Sequence, residues 1–255
     1  MKLIMLGAGT STGVPRVGND WGLCDPGEPR NRRSRVSILV EGDDGARILV
    51  DTSPDLRNQL LDNAIDRIDA VFWTHDHADH CHGIDDLRPF RQARQGPIPG
   101  YAAGETVHRL RQRFSYVFAG QHGYPTIVAL DNLDRLRMCA GFGIRHVQMP
   151  HGPAQSTGYR FETRGISIGY ATDFSSVTNE MIDLFHGCDV FVVDALRREP
   201  HPTHAHLAMA LEFIVSTRAR SAVLTHLDKS MDYATLRADL PVNVQPGYDG
   251  LEIEL

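Results

Sequence analysis

The chain has 255 residues, 42% hydrophobic and 23% charged, and 26 Lys and Arg against 32 Asp and Glu give it a formal net charge of −6. Those values exclude a disordered or fibrous chain, and the length suits a single core-bearing domain over 1–255. An acidic balance creates no field that gathers nucleic acid or an anionic membrane, so neither a nucleic-acid polymer nor a membrane is expected as a partner.

The four cysteines, Cys24, Cys81, Cys139 and Cys188, stand far apart without a CxxC. No disulfide framework is expected, and a reducing compartment fits. The opening MKLIMLGAGTSTG lacks the apolar core of a signal peptide, and no run approaches the ~20 apolar residues of a membrane helix. The expectation is a cytoplasmic protein.

Strand-like runs rich in β-branched residues come at KLIMLG (2–7), VSILVE (36–41), ARILVD (46–51) and DAVFWTH (69–75). They resume at ISIGYATD (166–173), DVFVVDA (189–195), AVLTH (222–226) and LEIEL (251–255). Helical spacing appears at 54–65, 104–114, 176–185 and 206–219. Strands and helices interleave, so the class is α/β or α+β. There is no internal repeat. The stretch 119–132, AGQHGYPTIVALDN, has the weakest periodicity and reads as an insertion or a loop over the site.

Metal-ligand residue types recur where the strands stop: Asp51, His75, His151 after HVQMP, Asp173, Asp194 and His226. Loops at one edge of a sheet are where sites are built. The densest stretch is WTHDHADHCHG (73–83), which holds HxHxDH in His75, His77, Asp79 and His80. In extended chain, residues two apart point the same way, so His75 and His77 can converge on one ion. Asp79 and His80 follow as the chain turns, and face a second ion. Imidazole and carboxylate donors with a single nearby thiol fit a hydrolytic or redox centre of Zn, Mn or Fe better than a Cys-rich structural one. His151, Asp173 and His226 are the candidates to complete it, with Asp173 the best bridge, since a carboxylate can bind two metals.

HxHxDH followed by a His, an Asp and a final His resembles the metallo-β-lactamase superfamily. The resemblance covers nearly the whole chain. It implies an αββα sandwich of two mixed β-sheets flanked by helices, with a two-metal site at one sheet edge. GAGTSTGVP, NRRSR, HPTH and GYDGLEIEL narrow it to the branch of the phosphoribosyl cyclic phosphate phosphodiesterases. Carried over, this gives His75, His77, His151 and Asp173 on one ion, and Asp79, His80, Asp173 and His226 on the other. Asp79 then counts among the catalytic residues. His204 of HPTH, 22 residues before His226, resembles the family's general acid; the competing reading is a histidine at the start of the following helix. Asp51 is expected to orient a metal-bound imidazole, since the family places an acid there, and Asp194 is a second choice beside a plain surface role. The family's cysteine-rich structural zinc site is not expected, because only Cys24 remains of it and Lys229 stands where its histidine would be.

Ser11 and Thr12, in the glycine-rich turn, are candidates to approach a phosphate, with a tight turn as the alternative. Arg88 and His201 are further substrate candidates. The four arginines of PRNRRSR, Arg30 to Arg35, read as a solvated face or as phosphate steering. Phe114, Tyr116 and Phe118 read as a stacking surface or as core.

The expected function is hydrolysis of a small cyclic or nucleotide-like phosphodiester through a metal-bridging hydroxide, using two divalent ions (Zn or Mn) and His204 as the acid. A lactone or thioester hydrolase with the same ligands is the alternative. An RNA-processing nuclease is disfavoured by the acidic charge. A homodimer is implied by the resemblance alone.

Overall fold

Each strand-like run becomes a strand in the computed structural model, which describes residues 1–121 and 123–255. His122, inside the 119–132 stretch, lies outside the described residues. The first half carries β1 (Lys2–Gly7), β2 (Ser37–Glu41), β3 (Arg47–Val50), β4 (Ala70–Phe72), β5 (Ile98–Ala102) and β6 (Val128–Asn132). Next come β7 (Met138–Cys139), β8 (Phe142–His151), β9 (Ala154–Thr163) and β10 (Ile166–Ala171). The chain closes with β11 (Val190–Asp194), β12 (Ser221–Thr225), β13 (Val244–Pro246) and β14 (Leu251–Glu254). The helices are α1 (Leu56–Asp62), α2 (Ala78–Cys81), α3 (Arg88–Arg94), α4 (Gly104–Arg113), α5 (Ser115–Ala119), α6 (Asn179–Phe185), α7 (Leu207–Thr217) and α8 (Tyr233–Asp239).

The strands make two seven-stranded sheets, in the orders β14-β1-β2-β3-β4-β5-β6 and β13-β12-β11-β10-β9-β8-β7. Along each sheet three antiparallel ladders are followed by three parallel ones. The sequence has no repeat, yet the topology is nearly duplicated. Ladder direction depends on polar and apolar alternation and on crossovers, not on residue identity. Parallel neighbours need crossovers, and the helices supply them. The carboxyl ends of the parallel strands therefore share one edge, which is where the ligand-type residues collect.

Alternation along the strands makes the layers. In β11, Val190 and Val192 face the other sheet while Phe191 and Val193 face α6 and α7. Between the sheets, Phe72 meets Tyr159 and Phe161 edge-on at 5.4 and 5.7 Å. Outside the first sheet, Trp73, Leu110 and Val117 pack under α4 and α5. Outside the second, Phe213 of α7 packs on Phe185 and Phe191. The order helix, sheet, sheet, helix is the αββα sandwich. Of the stretch 119–132, Val128–Asn132 is the edge strand β6, paired in parallel with β5. Its exposed outer edge is why its apolar pattern is thin. Among the described residues no helix is long and apolar enough to cross a membrane.

Candidate metal centre

His75 comes three residues after β4, His151 ends β8, Asp173 comes two after β10, Asp194 ends β11 and His226 follows β12. Asp51, Asp173 and His226 each take a left-handed backbone, with φ of 63, 59 and 58°. Non-glycine residues rarely hold that conformation, and it recurs here at three strand ends around one cluster.

His77 is still extended (φ −65°, ψ 152°) as it opens α2, so it stays beside His75, with ring centroids 4.4 Å apart. Asp79 and His80 lie in the first turn of α2 and swing the other way. Two groups result. One donor atom from each of His75, His77, His151 and Asp173 lies within 4.8 Å of the others, and the same holds for Asp79, His80 and His226. The Asp173 carboxylate divides between them. Its Oδ2 is 3.7 Å from His75 Nε2 and 3.6 Å from His151 Nε2, while its Oδ1 is 3.4 Å from His80 Nε2 and 3.6 Å from His226 Nε2.

The donors fit divalent ions. Nε2 of His75, His80 and His226 is buried without a hydrogen-bond partner, and all three face Asp173. Unsatisfied buried nitrogens are costly, and a cation removes the cost. Charge tells the same story. Burial works against a proton on His226, but Asp173, Asp79 and Asp194 hold its pKa up to about 9. Burial likewise opposes charge on His80, and Asp173, Asp79 and Asp51 outweigh it. Burial would raise Asp173, yet His226 and His80 hold it well below the usual carboxylate range. The carboxylates therefore call for positive charge, and without an ion two imidazoles provide it.

The opposite ring nitrogens are tied down. His80 Nδ1 donates to Asp51 Oδ2 at 2.7 Å, and Asp51 also accepts from the Thr74 amide and hydroxyl. The Thr74 hydroxyl is 3.0 Å from His75 Nδ1. His151 Nδ1 donates to the Thr203 carbonyl at 2.8 Å. Such partners fix tautomer and ring orientation. Asp51 was expected here; Thr74 and Thr203 were not, since a hydroxyl and a main-chain carbonyl leave no spacing signal. Asp194 is no surface carboxylate. It is fully buried, and its Oδ2 accepts from the Asp173 amide at 3.1 Å.

His204 joins the cluster. Its Nδ1 is 3.3 Å from Asp194 Oδ2 and 3.7 Å from Asp173 Oδ2, and its ring stacks on His226 at 4.8 Å. It can also be grouped with Asp173, Asp194 and His226 as a set of donors. α7 begins at Leu207 with His206 as its cap, so His204 stands two residues before the cap. His201 lies 5.2 Å from His204 and bonds Thr203.

Other candidates go elsewhere. Arg88 is engaged by Asp85 at 2.9 and 3.0 Å and lies over Tyr116 and Tyr124. Phe114, Tyr116 and Phe118 pack on the core beneath α5. Ser11 and Thr12 are exposed in a turn whose Thr10 amide bonds the Leu227 carbonyl, next to His226. Asp76 belongs to neither donor group and is held by Arg113 at 2.9 Å, which pins the motif loop to α4. The Cys81 thiol donates to the Asp76 carbonyl at 3.3 Å and belongs to neither donor group. Near Cys24, Lys229 pairs with Asp20 and its carbonyl accepts from Leu23.

Known proteins match this arrangement. The family described as a β-lactamase superfamily domain matches residues 46–227. A protein of Porphyromonas gingivalis named octanoyltransferase is 34% identical over 261 residues. The match takes in 99% of this chain but only 51% of that protein, so this chain spans about half its length. Coenzyme PQQ synthesis protein B of Cupriavidus necator is 25% identical over 98% of both chains. The crystal structure of a diphosphatase from the PhnP family superposes with a TM-score of 0.89 at 35% identity, over 99% of this chain and 96% of that one. With ligand-type residues at the strand ends of an αββα sandwich, the chain belongs to the metallo-β-lactamase superfamily, in the PhnP-like branch, and is a metal-dependent hydrolase.

Proposed function

We propose that the protein is a phosphodiesterase using two divalent ions, Zn or Mn, on a small cyclic or nucleotide-like phosphodiester. His75, His77, His151 and Asp173 would hold one ion; Asp79, His80, Asp173 and His226 would hold the other, with Asp173 shared. When bound, such a pair neutralises phosphoryl charge and makes a water more acidic.

The observation that carries the reading is the His204–Asp194 pair. A departing alkoxide needs a proton. His204 is 15% exposed at the rim of the cluster, and Asp194 on Nδ1 orients the ring while Nε2 is left for substrate. Asp194 also accepts from the Asp173 amide, so one carboxylate orients both the proposed acid and the proposed bridge. Asp51 and Thr74 hold His80 and His75 in place. The PhnP-family relative named a diphosphatase adds support for phosphate-ester chemistry.

Hydrolysis of a lactone or thioester is the second reading, and the acyl-transfer name of the Porphyromonas relative favours it. An acid has less work on a thioester, whose thiolate departs without a proton; a lactone, like a phosphodiester, releases an alkoxide. A panel on the metal-loaded enzyme separates the two: bis(p-nitrophenyl) phosphate, a cyclic ribose phosphate, a lactone and a thioester. Turnover of the phosphodiesters is expected. Lactone turnover without phosphodiester turnover would sink the reading.

A further inference from the structure

Buried polar atoms without partners cluster in two places. One is the imidazole set of the metal centre. The other is a group of arginines: Nε of Arg16, Arg33 and Arg35. Arg16, Arg33 and Arg35 all belong to the wall of a single cavity of about 460 Å³, and so does Arg32. Arg33 is 1% exposed, a buried charge that is costly unless compensated. Its terminal nitrogens reach the Met231 carbonyl at 2.8 Å and Asn31 at 3.4 Å, neither of which lines the cavity, so Arg33 backs the wall without offering it donors. Among the described residues, Arg35 is the only one of the four in an ion pair, with Asp55 at 3.2 Å.

We propose that this cavity binds a phosphate monoester, held by Arg16, Arg32 and Arg35, at a site apart from the metal centre. Guanidinium forks match phosphoryl oxygens, and several charge-assisted donors at one point select a dianion over a monoanion.

Three carboxylates also line the cavity, and two of them are spent. Asp55 is taken by Arg35 and by the Arg35 amide. Asp249 accepts from the Ala8 amide, the Ser34 amide and the Ser34 hydroxyl. Asp62 is exposed. The cavity is larger than a phosphate ion, and Leu6, Val14, Pro15 and Val17 give it an apolar flank for the organic part of an ester. Thr12 and Gly13 form part of its wall, while Thr10 in the same turn bonds Leu227 beside His226. The two sites thus share one turn without sharing a ligand residue.

Calorimetric titration of the metal-loaded protein with inorganic phosphate tests this, on wild type, Arg16→Ala and Arg16→Ala/Arg32→Ala. One phosphate site should weaken at least about tenfold in the single variant and further in the double. Metal content should stay at the wild-type value. A phosphate that binds at the metals instead would be untouched by either substitution. Absent phosphate binding, or binding unchanged in both variants, overturns the proposal. Arg16 is half-buried and Arg32 exposed, so the folded state should survive; Arg16→Gln, which removes the charge and keeps much of the length, gives the same reading if the double variant folds poorly. The readout is binding, so a failure of phosphodiester hydrolysis leaves it intact.

Discussion

His80 and Asp51 are joined by a 2.7 Å hydrogen bond between two side chains with no exposed surface. Asp51 sits at the end of β3, outside both donor groups, yet it fixes which nitrogen of His80 faces Asp173. In Asp51→Asn the amide oxygen can still accept, but without the charge that raises ligand basicity. Metal affinity should fall about 10–100-fold with the fold retained. Competition with a chromophoric chelator measures it. Wild-type affinity in the variant would mean that the pair is structural only.

Metal binding should tighten with pH. The pKa of His226 is held up to about 9 and that of His80 is also raised, so ions must displace protons at neutral pH. Each displaced proton makes binding about tenfold tighter per pH unit until its pKa is passed. The metal-free protein should behave in the opposite sense. A raised folded-state pKa contributes stability that is complete below the unfolded value of about 6.5. That contribution is lost as pH rises through about 9. Chelator titrations and thermal melts at pH 6.5, 7.5 and 9 read both slopes. A pH-independent metal affinity would refute the charge assignment.

Tyr159 donates to the Trp73 carbonyl at 2.6 Å, across the space between the sheets. Trp73 lies two residues before His75, so this bond anchors the base of the metal loop to the second sheet. Tyr159→Phe keeps the ring packed against Phe72 and leaves one buried carbonyl unsatisfied. The expected cost is about 1–3 kcal/mol, read as a lower Tm or denaturation midpoint. A variant as stable as wild type would show that water satisfies the carbonyl.

The ligand-type residues were legible because a charged or imidazole side chain closing an apolar strand is conspicuous. His75, His151, Asp173 and His226 are separated in sequence by 76, 22 and 53 residues; parallel topology brings the ends of β4, β10 and β12 to one edge, and the β8–β9 hairpin adds His151. The long β8–β9 hairpin was less legible, with only HVQMP noted from it. Its strands mix polar and apolar residues on both faces near the open edge. β5 was hidden by Pro99 and Gly100, and Gly100 is required because a Cβ would come 2.4 Å from Val128 and 3.0 Å from Trp73. Thr74, Arg113 and the Thr203 carbonyl act through contacts that only the folded chain creates. The glycine-rich turn gave no sign of which of its two faces meets a ligand.

His204 is placed to act either as the acid or as a metal ligand. It has a carboxylate partner in Asp194 and stacks on His226, yet it also falls within reach of a donor set with Asp173. If it is the acid, His204→Ala should keep the metal content of the wild type. Hydrolysis of a diester with a poor leaving group should then drop about 10²–10⁴-fold, while a p-nitrophenyl ester, whose leaving group needs no proton, should lose much less. The kcat should carry the loss and KM should change little, because the proton moves only as the bond breaks. If His204 is a ligand, metal content falls and both esters lose activity together. Metal analysis of the purified variant beside a two-substrate comparison separates these outcomes. An equal loss on both esters with full metal content would exclude His204 as the acid and turn attention to His201, 5.2 Å away.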